Sequence, residues 1–297
     1  MDCSGPELSL TGNKARKLDY YLSSDFPGVT RVISYGSVQS NMLYSLSILA
    51  KIKSWALEFY VDHIPNNLSS NPRGNYAAAL ALGADVRVAP RSFVENESGL
   101  KKYVQEEVLI DISDAIYISE GAASGEAERG LEQLAEEIEL WVRQSQIEHP
   151  KLMLASGTGT TAYFLQQHLP FEVLTCACVG SAEYLYTQFS MLAGNKKNYP
   201  TILSELSDSE GCAHKFQFGK LYRDLFLLWQ EVRCETGVTF DLLYDPIGWK
   251  YMIAYLESKK VKSSESTPEI IYLHQGGLLG NETMLQRYER KFGFGAL

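Results

Sequence analysis

The sequence lacks the features that mark membrane proteins and nucleic-acid-binding proteins. No apolar run approaches the roughly 18 residues that a bilayer-spanning helix needs, and no basic region followed by an apolar segment opens the chain. Lysine and arginine form no extended basic run, and the net charge is -9, which argues against binding to nucleic-acid phosphates. We therefore expect a cytoplasmic protein that binds a small molecule, without a membrane or nucleic-acid partner.

Cysteine is scarce, and its spacing argues against a disulfide framework and against a zinc site. The five cysteines are scattered along the chain: Cys3, Cys176, Cys178, Cys212 and Cys234. Their number is odd, and neither Cys-x-x-Cys pairs nor nearby histidines accompany them. We therefore expect reduced thiols and no metal site.

The composition is that of a globular protein, with 45% hydrophobic and 21% charged residues in 297. That length favours two domains at the usual roughly 100 to 200 residues per domain. Apolar runs rich in β-branched residues alternate with helical patterns, which predicts strands at 31–34, 57–61, 85–89, 115–119, 151–155, 171–179 and 269–274. The intervening patterns predict helices at 41–53, 76–82, 99–108, 126–146, 160–168, from 181 onward, and at 281–292. Such alternation predicts mainly parallel sheets that are covered on both faces.

Lys14 stands in a Gly-Asn-Lys-Ala-Arg-Lys-Leu segment directly before a helical pattern. Taken alone, such a lysine is more often a solvated residue of a first helical turn. A cluster of Lys14, Arg16 and Lys17 at a helix start opposes the helix dipole, which favours anions there. The cluster therefore favours an anionic ligand nearby.

A second candidate segment, Ser34 to Met42, joins a predicted strand to a predicted helix. Gly36 permits a tight turn, and Ser40 and Asn41 stand where an N-cap belongs. The free backbone amides of a helix start suit a carboxylate. Simple capping and carboxylate binding are equally compatible with this pattern.

A third segment, Ala155 to Ala162, also joins a strand to a helix. Its small residues let the backbone approach a phosphate, and the amides of Gly157 to Thr161 can form an anion-binding nest. The spacing of Gly157, Gly159 and Ala162 also matches the dinucleotide-binding pattern, so a Rossmann-type NAD site is a competing interpretation. No Gly-Lys-Ser or Gly-Lys-Thr ending follows, which argues against a P-loop.

Two further segments, Phe240 to Pro246 and Leu273 to Gly280, place polar side chains beside turn-forming residues. A Tyr-Asp-Pro sequence is typical of a solvent-facing turn, and a glycine pair after a strand often serves only the backbone. Neither segment is specific alone. The order of all five segments along one α/β chain favours a shared ligand.

With these segments assembled, the sequence resembles the fold type II enzymes that use pyridoxal 5′-phosphate (PLP). Within them it is similar to the 1-aminocyclopropane-1-carboxylate deaminase and D-cysteine desulfhydrase family, over nearly the whole chain. The resemblance implies an α/β fold of two three-layer αβα domains with mainly parallel sheets. It also implies a large PLP-binding domain of residues 1–16 and 125–297, a small inserted domain of residues 17–124, and a homodimer.

The resemblance assigns roles to the first two segments. The family's Gly-Asn-Lys-x-Arg-Lys-Leu segment carries the Schiff-base lysine, which implies that role for Lys14, a cofactor contact for Asn13 and a phosphate contact for Lys17. The family's Gln-Ser-Asn segment receives the substrate carboxylate and touches the cofactor oxygen. It matches three consecutive residues here: Gln39, Ser40 and Asn41.

The resemblance also assigns roles to the glycine-rich segments. The family's phosphate loop corresponds to Ser156 to Thr161, and its implied cofactor-binding residues are Gly157, Thr158, Gly159, Thr160 and Thr161. The family's His-Thr-Gly-Gly turn corresponds to His274 to Gly277. Gln275 stands there in place of threonine, which implies altered hydrogen bonding near the cofactor.

The family's Asp-Pro-Val-Tyr-Glu segment supplies an active-site tyrosine and a carboxylate near the pyridine nitrogen, and it aligns here in two ways. Placing residues 245–247 on Asp-Pro-Val puts Gly248 at the tyrosine position. Placing residues 241–245 on the segment keeps both groups, and we prefer this alignment. It implies Tyr244 as a catalytic residue and Asp245 as the partner of the ring nitrogen.

The implied activity is that of a PLP-dependent deaminase or lyase, which would be classed as a hydrolase or a lyase. It would release ammonia and a 2-oxo acid from a small amino acid, by β-elimination from a D-cysteine-type substrate or by ring-opening deamination of 1-aminocyclopropane-1-carboxylate. Lys14 would be the general base, Tyr244 an acid, base or nucleophile, and Ser40 a holder of the substrate carboxylate. The alternatives are a PLP-binding relative without turnover and a Rossmann-type NAD-binding protein.

Overall fold

The computed structural model describes Leu10 and residues 12–94, 99–194, 198–204, 216–262 and 268–293. The chain divides into two compact units, Met1–Ala122 and Ala123–Leu297. The predicted boundary after residue 124 lies close to this division. The described part of the segment 1–16, which we assigned to the large domain, is grouped with the first unit, and the predicted domain organisation stays a prediction.

The first unit contains a parallel sheet of four strands in the order β3-β2-β1-β4. Its strands are β1 Arg31–Tyr35, β2 Ala56–Val61, β3 Asp85–Val88 and β4 Ala115–Tyr117. Its α-helices are α1 Gly12–Lys17, α2 Asp19–Ser23, α3 Asn41–Lys53, α4 Asn66–Ser70, α5 Gly74–Ala81, α6 Arg91–Val94 and α7 Gly99–Tyr103. A π-helical turn follows at Val104–Val108 and a 3₁₀ turn at Glu120–Ala122.

Both faces of the first sheet are covered, because alternate residues of a strand point to opposite sides. Val32 packs in a core with Leu43 and Leu46 of α3. Its neighbour Ile33 packs in a separate core with Val104 of the π-helical turn. The first unit therefore has three layers, with the sheet in the middle.

The second unit contains a parallel sheet of four strands in the order β7-β6-β5-β8. Its strands are β5 Pro150–Ser156, β6 Val173–Ala177, β7 Thr201–Ile202 and β8 Glu269–Tyr272. Its α-helices are α8 Glu128–Gln144, α9 Thr160–His168, α10 Ala182–Ala193, α11 Arg223–Thr236, α12 Asp245–Lys262 and α13 Asn281–Phe292. Short 3₁₀ turns lie at Gly125–Ala127 and Leu278–Gly280.

The second sheet is also covered on both faces. Leu152 and Leu154 of β5 pack in a core with Ile138 of α8. Met153, which points the other way, packs in a core with Ile247 of α12. The predicted α/β fold of three-layer units with parallel sheets is confirmed.

The two sheets share one strand order. In each unit the chain adds two strands on one side of the first strand and returns to place the last strand on its other side. The carboxyl ends of β1 and β5 are therefore topological switch points, where ligands bind in open α/β sheets. Two of the predicted ligand-binding segments, Ser34 to Met42 and Ala155 to Ala162, follow these two strands.

Three cysteines lie in the described part of the chain. Cys176, Cys178 and Cys234 are free thiols. Cys3 and Cys212 lie outside the described residues. Among the described helices, none combines the length and the apolar character that crossing a membrane requires.

Candidate functional site

The predicted site residues fall into two groups, one in each unit, and each group is described by itself. In the first unit, α1 carries the lysine segment, and the Lys14 Nζ donates a hydrogen bond of 3.0 Å to the Asn13 Oδ1. Helix α1 contacts α3 and the Glu120–Ala122 turn. The first unit therefore brings the lysine helix, the helix that follows Ser40 and this turn together.

Lys17 lies on the inner side of α1. It is only 3% exposed, and its Nζ donates a hydrogen bond of 2.8 Å to the carbonyl oxygen of Gly121. Burial and the nearby Lys14 hold the pKa of Lys17 well below its ordinary value. An ammonium has three N–H donors, and this bond uses one of them, so the predicted phosphate contact stays a prediction.

Ser40 is the N-cap of α3. Its Oγ accepts hydrogen bonds from the backbone N–H groups of Met42 and Leu43, both at 3.1 Å. The capping interpretation is therefore correct for this side chain. Its hydroxyl proton remains a donor, so capping is compatible with the predicted contact to a substrate carboxylate.

Asn41 and Gln39 are fixed by Asn75, a residue that the sequence analysis missed. The Asn75 Nδ2 donates to the Asn41 Oδ1 at 2.7 Å and to the carbonyl oxygen of Gln39 at 2.9 Å. Asn75 is 3% exposed and lies in the first turn of α5. Nothing in its spacing from Asn41 signals this contact.

In the second unit, the predicted phosphate loop connects the end of β5 to the start of α9. Gly159 has a φ of 73°, and a Cβ added to it would lie 2.5 Å from the Phe189 Cε1. Only glycine fits there without displacing a neighbour. The loop therefore presents backbone amides at the N-terminus of α9, an arrangement that suits a phosphate group.

Tyr244 lies against this loop. The Asp241 Oδ1 accepts hydrogen bonds from the backbone N–H groups of Leu243 (2.8 Å) and Tyr244 (2.6 Å), which fixes the turn before α12. A Cβ added to Gly157 would lie 3.5 Å from the Tyr244 Cε1 and 3.7 Å from its hydroxyl oxygen. The tyrosine at 244 is therefore next to the predicted phosphate loop.

Gln275 reaches the same end of the sheet. Its Nε2 donates a hydrogen bond of 2.7 Å to the carbonyl oxygen of Ala155 near the end of β5. The His274 Nε2 forms a hydrogen bond of 2.8 Å with the carbonyl oxygen of Thr239, and its Nδ1 accepts from the backbone N–H of Gly276 at 3.1 Å. These two bonds fix the turn that carries Gln275. Since β5 and β8 are parallel neighbours, their carboxyl ends meet here.

Asp245 is buried, with 1% of its surface exposed. Its Oδ2 accepts from the backbone N–H of Asp241 at 3.0 Å, and its Oδ1 accepts from the Tyr272 hydroxyl at 3.0 Å. Burial, with a smaller effect from Asp241, raises the pKa of Asp245 to about 8. Tyr272 is a second partner that the sequence analysis missed.

The chemistry of these residues fits PLP. The loop at Gly157 to Thr161 offers small residues and helix-start amides for a phosphate. Tyr244 lies beside that loop, and the Asp245 carboxyl offers an acceptor of the kind that a pyridine nitrogen requires when it carries a proton. Lys14 supplies a primary amine in the first unit.

No family model matches the chain. A curated relative, the putative D-cysteine desulfhydrase 2, mitochondrial, of Oryza sativa subsp. japonica, is 22% identical over 324 residues, which cover 95% of this chain and 77% of that protein.

Two solved structures are similar over most of their length. An ACC deaminase homologue superimposes with a TM-score of 0.73 at 21% identity, covering 94% of this chain and 85% of that chain. A hydrogen sulfide-producing enzyme from Fusobacterium nucleatum superimposes with a TM-score of 0.54 at 14% identity, covering 90% and 87%. The resemblance inferred from the five segments is confirmed at the level of the fold, which this chain shares with these proteins.

Proposed function

We propose that this chain binds PLP through Lys14 and acts as a PLP-dependent lyase or deaminase on a small amino acid, releasing ammonia and a 2-oxo acid. The observation that carries the proposal is the meeting of the Gly157 loop, Tyr244 and Gln275 at the carboxyl ends of β5 and β8. The similarity to a D-cysteine desulfhydrase and an ACC deaminase homologue supports this class of reaction.

The residues of the second unit would hold the cofactor. The backbone amides of Gly157 to Thr161 would bind the phosphate, and the Asp245 carboxylate would accept a hydrogen bond from the protonated ring nitrogen. Gln275 would lie near the ring, on the turn that His274 fixes. Bound PLP supplies an electron sink for the electron pair that remains on the substrate carbon when it loses a proton.

Lys14 would perform the proton transfer. Its Nζ would hold the cofactor covalently and, once the substrate amine replaces it, would take a proton from the α-carbon or a neighbouring methylene. The Asn13 Oδ1 orients this nitrogen through the hydrogen bond of 3.0 Å.

Ser40, Asn41 and Gln39 would bind the substrate carboxylate, because Ser40 and Asn41 lie at the N-terminus of α3, where the helix dipole favours an anion. Asn75 keeps Asn41 in place. In the second unit, the Tyr244 hydroxyl would donate or accept a proton at the reacting substrate. These roles require no metal ion.

The cofactor assignment is tested by absorbance. We expect the purified chain with PLP to show the visible band of a lysine-bound cofactor, and borohydride to fix PLP to the chain. Lys14→Ala should abolish the band, and Lys51→Ala, which alters an exposed lysine of α3, should retain it. A colourless protein that binds NAD would overturn the proposal in favour of the Rossmann-type alternative.

The turnover assignment is tested by product release. We expect pyruvate or 2-oxobutyrate from at least one member of a panel of D-amino acids and 1-aminocyclopropane-1-carboxylate. Tyr244→Phe should lower kcat by at least about 100-fold, the usual contribution of a positioned acid or base. Yellow protein without product from any substrate would favour a PLP-binding relative that has no turnover.

Two finer features belong to the proposal, a homodimer and a cytoplasmic location. The homodimer follows from the family resemblance, and light scattering of the purified chain measures it. The cytoplasmic location is the expectation from the sequence, whereas the rice relative carries the word mitochondrial in its name. Cell fractionation with an antibody to the chain decides between these compartments.

A further inference from the structure

The Tyr272 hydroxyl lies against the first turn of α12. It donates to the Asp245 Oδ1 at 3.0 Å and lies 3.3 Å from the Asp245 carbonyl oxygen. A Cβ added to Gly248 would lie 2.4 Å from this hydroxyl, so only glycine leaves room for it. The Tyr272 hydroxyl therefore forms a close contact between β8 and the first turn of α12.

The ring of Tyr272 is held from two further sides. It stacks on Trp249 with ring centroids 4.8 Å apart and meets the edge of Phe240 at 5.7 Å. Its backbone belongs to β8, which pairs with β5 through Met153. The hydroxyl therefore has a fixed position relative to the carboxyl ends of both strands.

The Tyr272 hydroxyl stabilises the ionised form of Asp245 in surroundings that otherwise disfavour it. Three titratable groups face Asp245. They are Asp241 in the turn before α12, Tyr272 on β8 and Cys178 after β6. None of these three is a cation. The ionised form of Asp245 is stabilised by the Tyr272 hydroxyl and the Asp241 backbone N–H, against the cost of burial.

We propose that Tyr272 is a positioning residue that fixes the Asp245 carboxyl and allows it to carry the charge that a protonated ring nitrogen of PLP requires. Without the hydroxyl, the carboxyl keeps its burial and loses one of its two donors. This inference rests on the proposed function for the cofactor. The hydrogen bond itself is a property of the chain alone.

The first measurement uses the full chain without PLP. Carbon NMR of the protein labelled at aspartate carboxyls, with Asp245 assigned by its loss in Asp245→Asn, follows the pKa of Asp245. We expect a higher pKa in Tyr272→Phe than in the wild type, because the lost bond favoured the ionised form. Tyr251→Phe removes another hydroxyl from the same apolar core and α12, and it should leave the pKa of Asp245 unchanged.

The second measurement is the affinity for PLP between pH 6 and 9. We expect the Kd of Tyr272→Phe to rise by roughly tenfold, the equivalent of one hydrogen bond to a charged group, with Tyr251→Phe near the wild type. An Asp245 pKa that is equal in Tyr272→Phe and the wild type would overturn the inference. Failure of the wild type to bind PLP at any pH would overturn the proposed function instead, while the NMR result still decides the role of Tyr272.

Discussion

Gly159 shows how strongly one residue constrains the loop before α9. Its φ of 73° and a gap of 2.5 Å between its added Cβ and the Phe189 Cε1 predict both strain and overpacking. We expect Gly159→Ala to lower the free energy of unfolding by roughly 1 to 3 kcal/mol, measured by chemical denaturation. Gly125→Ala, which meets nothing within 4 Å, is the control and should change it by less than about 0.5 kcal/mol. Equal stabilities of the two variants would contradict the steric argument.

Gly248 is a second position at which a side chain would collide with a neighbour. We expect Gly248→Ala to lower the free energy of unfolding by about 1 to 3 kcal/mol, because its Cβ would lie 2.4 Å from the Tyr272 hydroxyl. In a Tyr272→Phe background the loss should be smaller, since the nearest remaining atoms lie at 3.2 and 3.3 Å. Urea unfolding of the single and double variants measures this coupling. Additive losses would show that the hydroxyl is not the obstacle.

The residues that the sequence analysis missed share one property. Asn75 contacts Asn41 across 34 positions of the chain, and Tyr272 contacts Asp245 across 27. Such partners follow from the pairing of strands and the packing of helices, which a local pattern does not contain. Lys14, Ser40 and Gly157, in contrast, stand in segments whose local pattern could be read directly from the sequence.

At the level of secondary structure, three helices were predicted with their observed bounds. The bounds of α3, α9 and α13 agree with the predicted ranges. Helices α11 and α12 were not predicted. At the start of α12, the Tyr-Asp-Pro sequence is typical of a turn, although proline is tolerated in a first helical turn because its missing N–H has no helical partner there.

The N-cap of α3 gives a prediction that separates structure from function. We expect Ser40→Ala to lower the free energy of unfolding by about 1 kcal/mol, since two backbone amides lose their acceptor. Ser181→Ala removes the corresponding cap of α10, where the Oγ accepts from the Tyr184 N–H, and should be destabilising to a similar extent. Thermal unfolding measures both.

Only the Ser40 variant should also raise KM for the substrate that the wild type turns over, because Ser181 lies outside the proposed carboxylate-binding group. Steady-state kinetics of the two variants provide the comparison. An unchanged KM in Ser40→Ala would show that Ser40 acts only as the N-cap of α3.

At the scale of the whole molecule, the alternation of strands and helices predicted parallel sheets, and their strand order emerged only from the structure. Each sheet places its first strand between the second and the last. This order depends on where the chain returns after its third strand, a choice made by burial on both faces of the sheet. The local patterns were sufficient for the fold class, and the switch points at β1 and β5 then explain why two of the ligand segments follow those strands.

The free energy of unfolding of the whole chain should depend on pH through the ionisation of Asp245. Its pKa in the folded state is about 8, against roughly 3.9 in an unfolded chain. Between these values the unfolded chain binds fewer protons at this group, so its contribution to the free energy of unfolding falls as pH rises and levels off above about pH 8. Lys17, whose pKa is lowered by burial, acts in the opposite direction, so the comparison must isolate Asp245.

We therefore expect the stability of Asp245→Asn, relative to the wild type, to increase steadily between pH 5 and 8. Urea unfolding of the full chain without PLP measures it, with Asp25→Asn, at an exposed position, as the matched control. A difference between wild type and Asp245→Asn that stays constant over this range would show that Asp245 ionises in the folded chain as it does in the unfolded one. In that case the hydrogen bonds from the Tyr272 hydroxyl and the Asp241 amide would fully offset the desolvation of the Asp245 carboxyl.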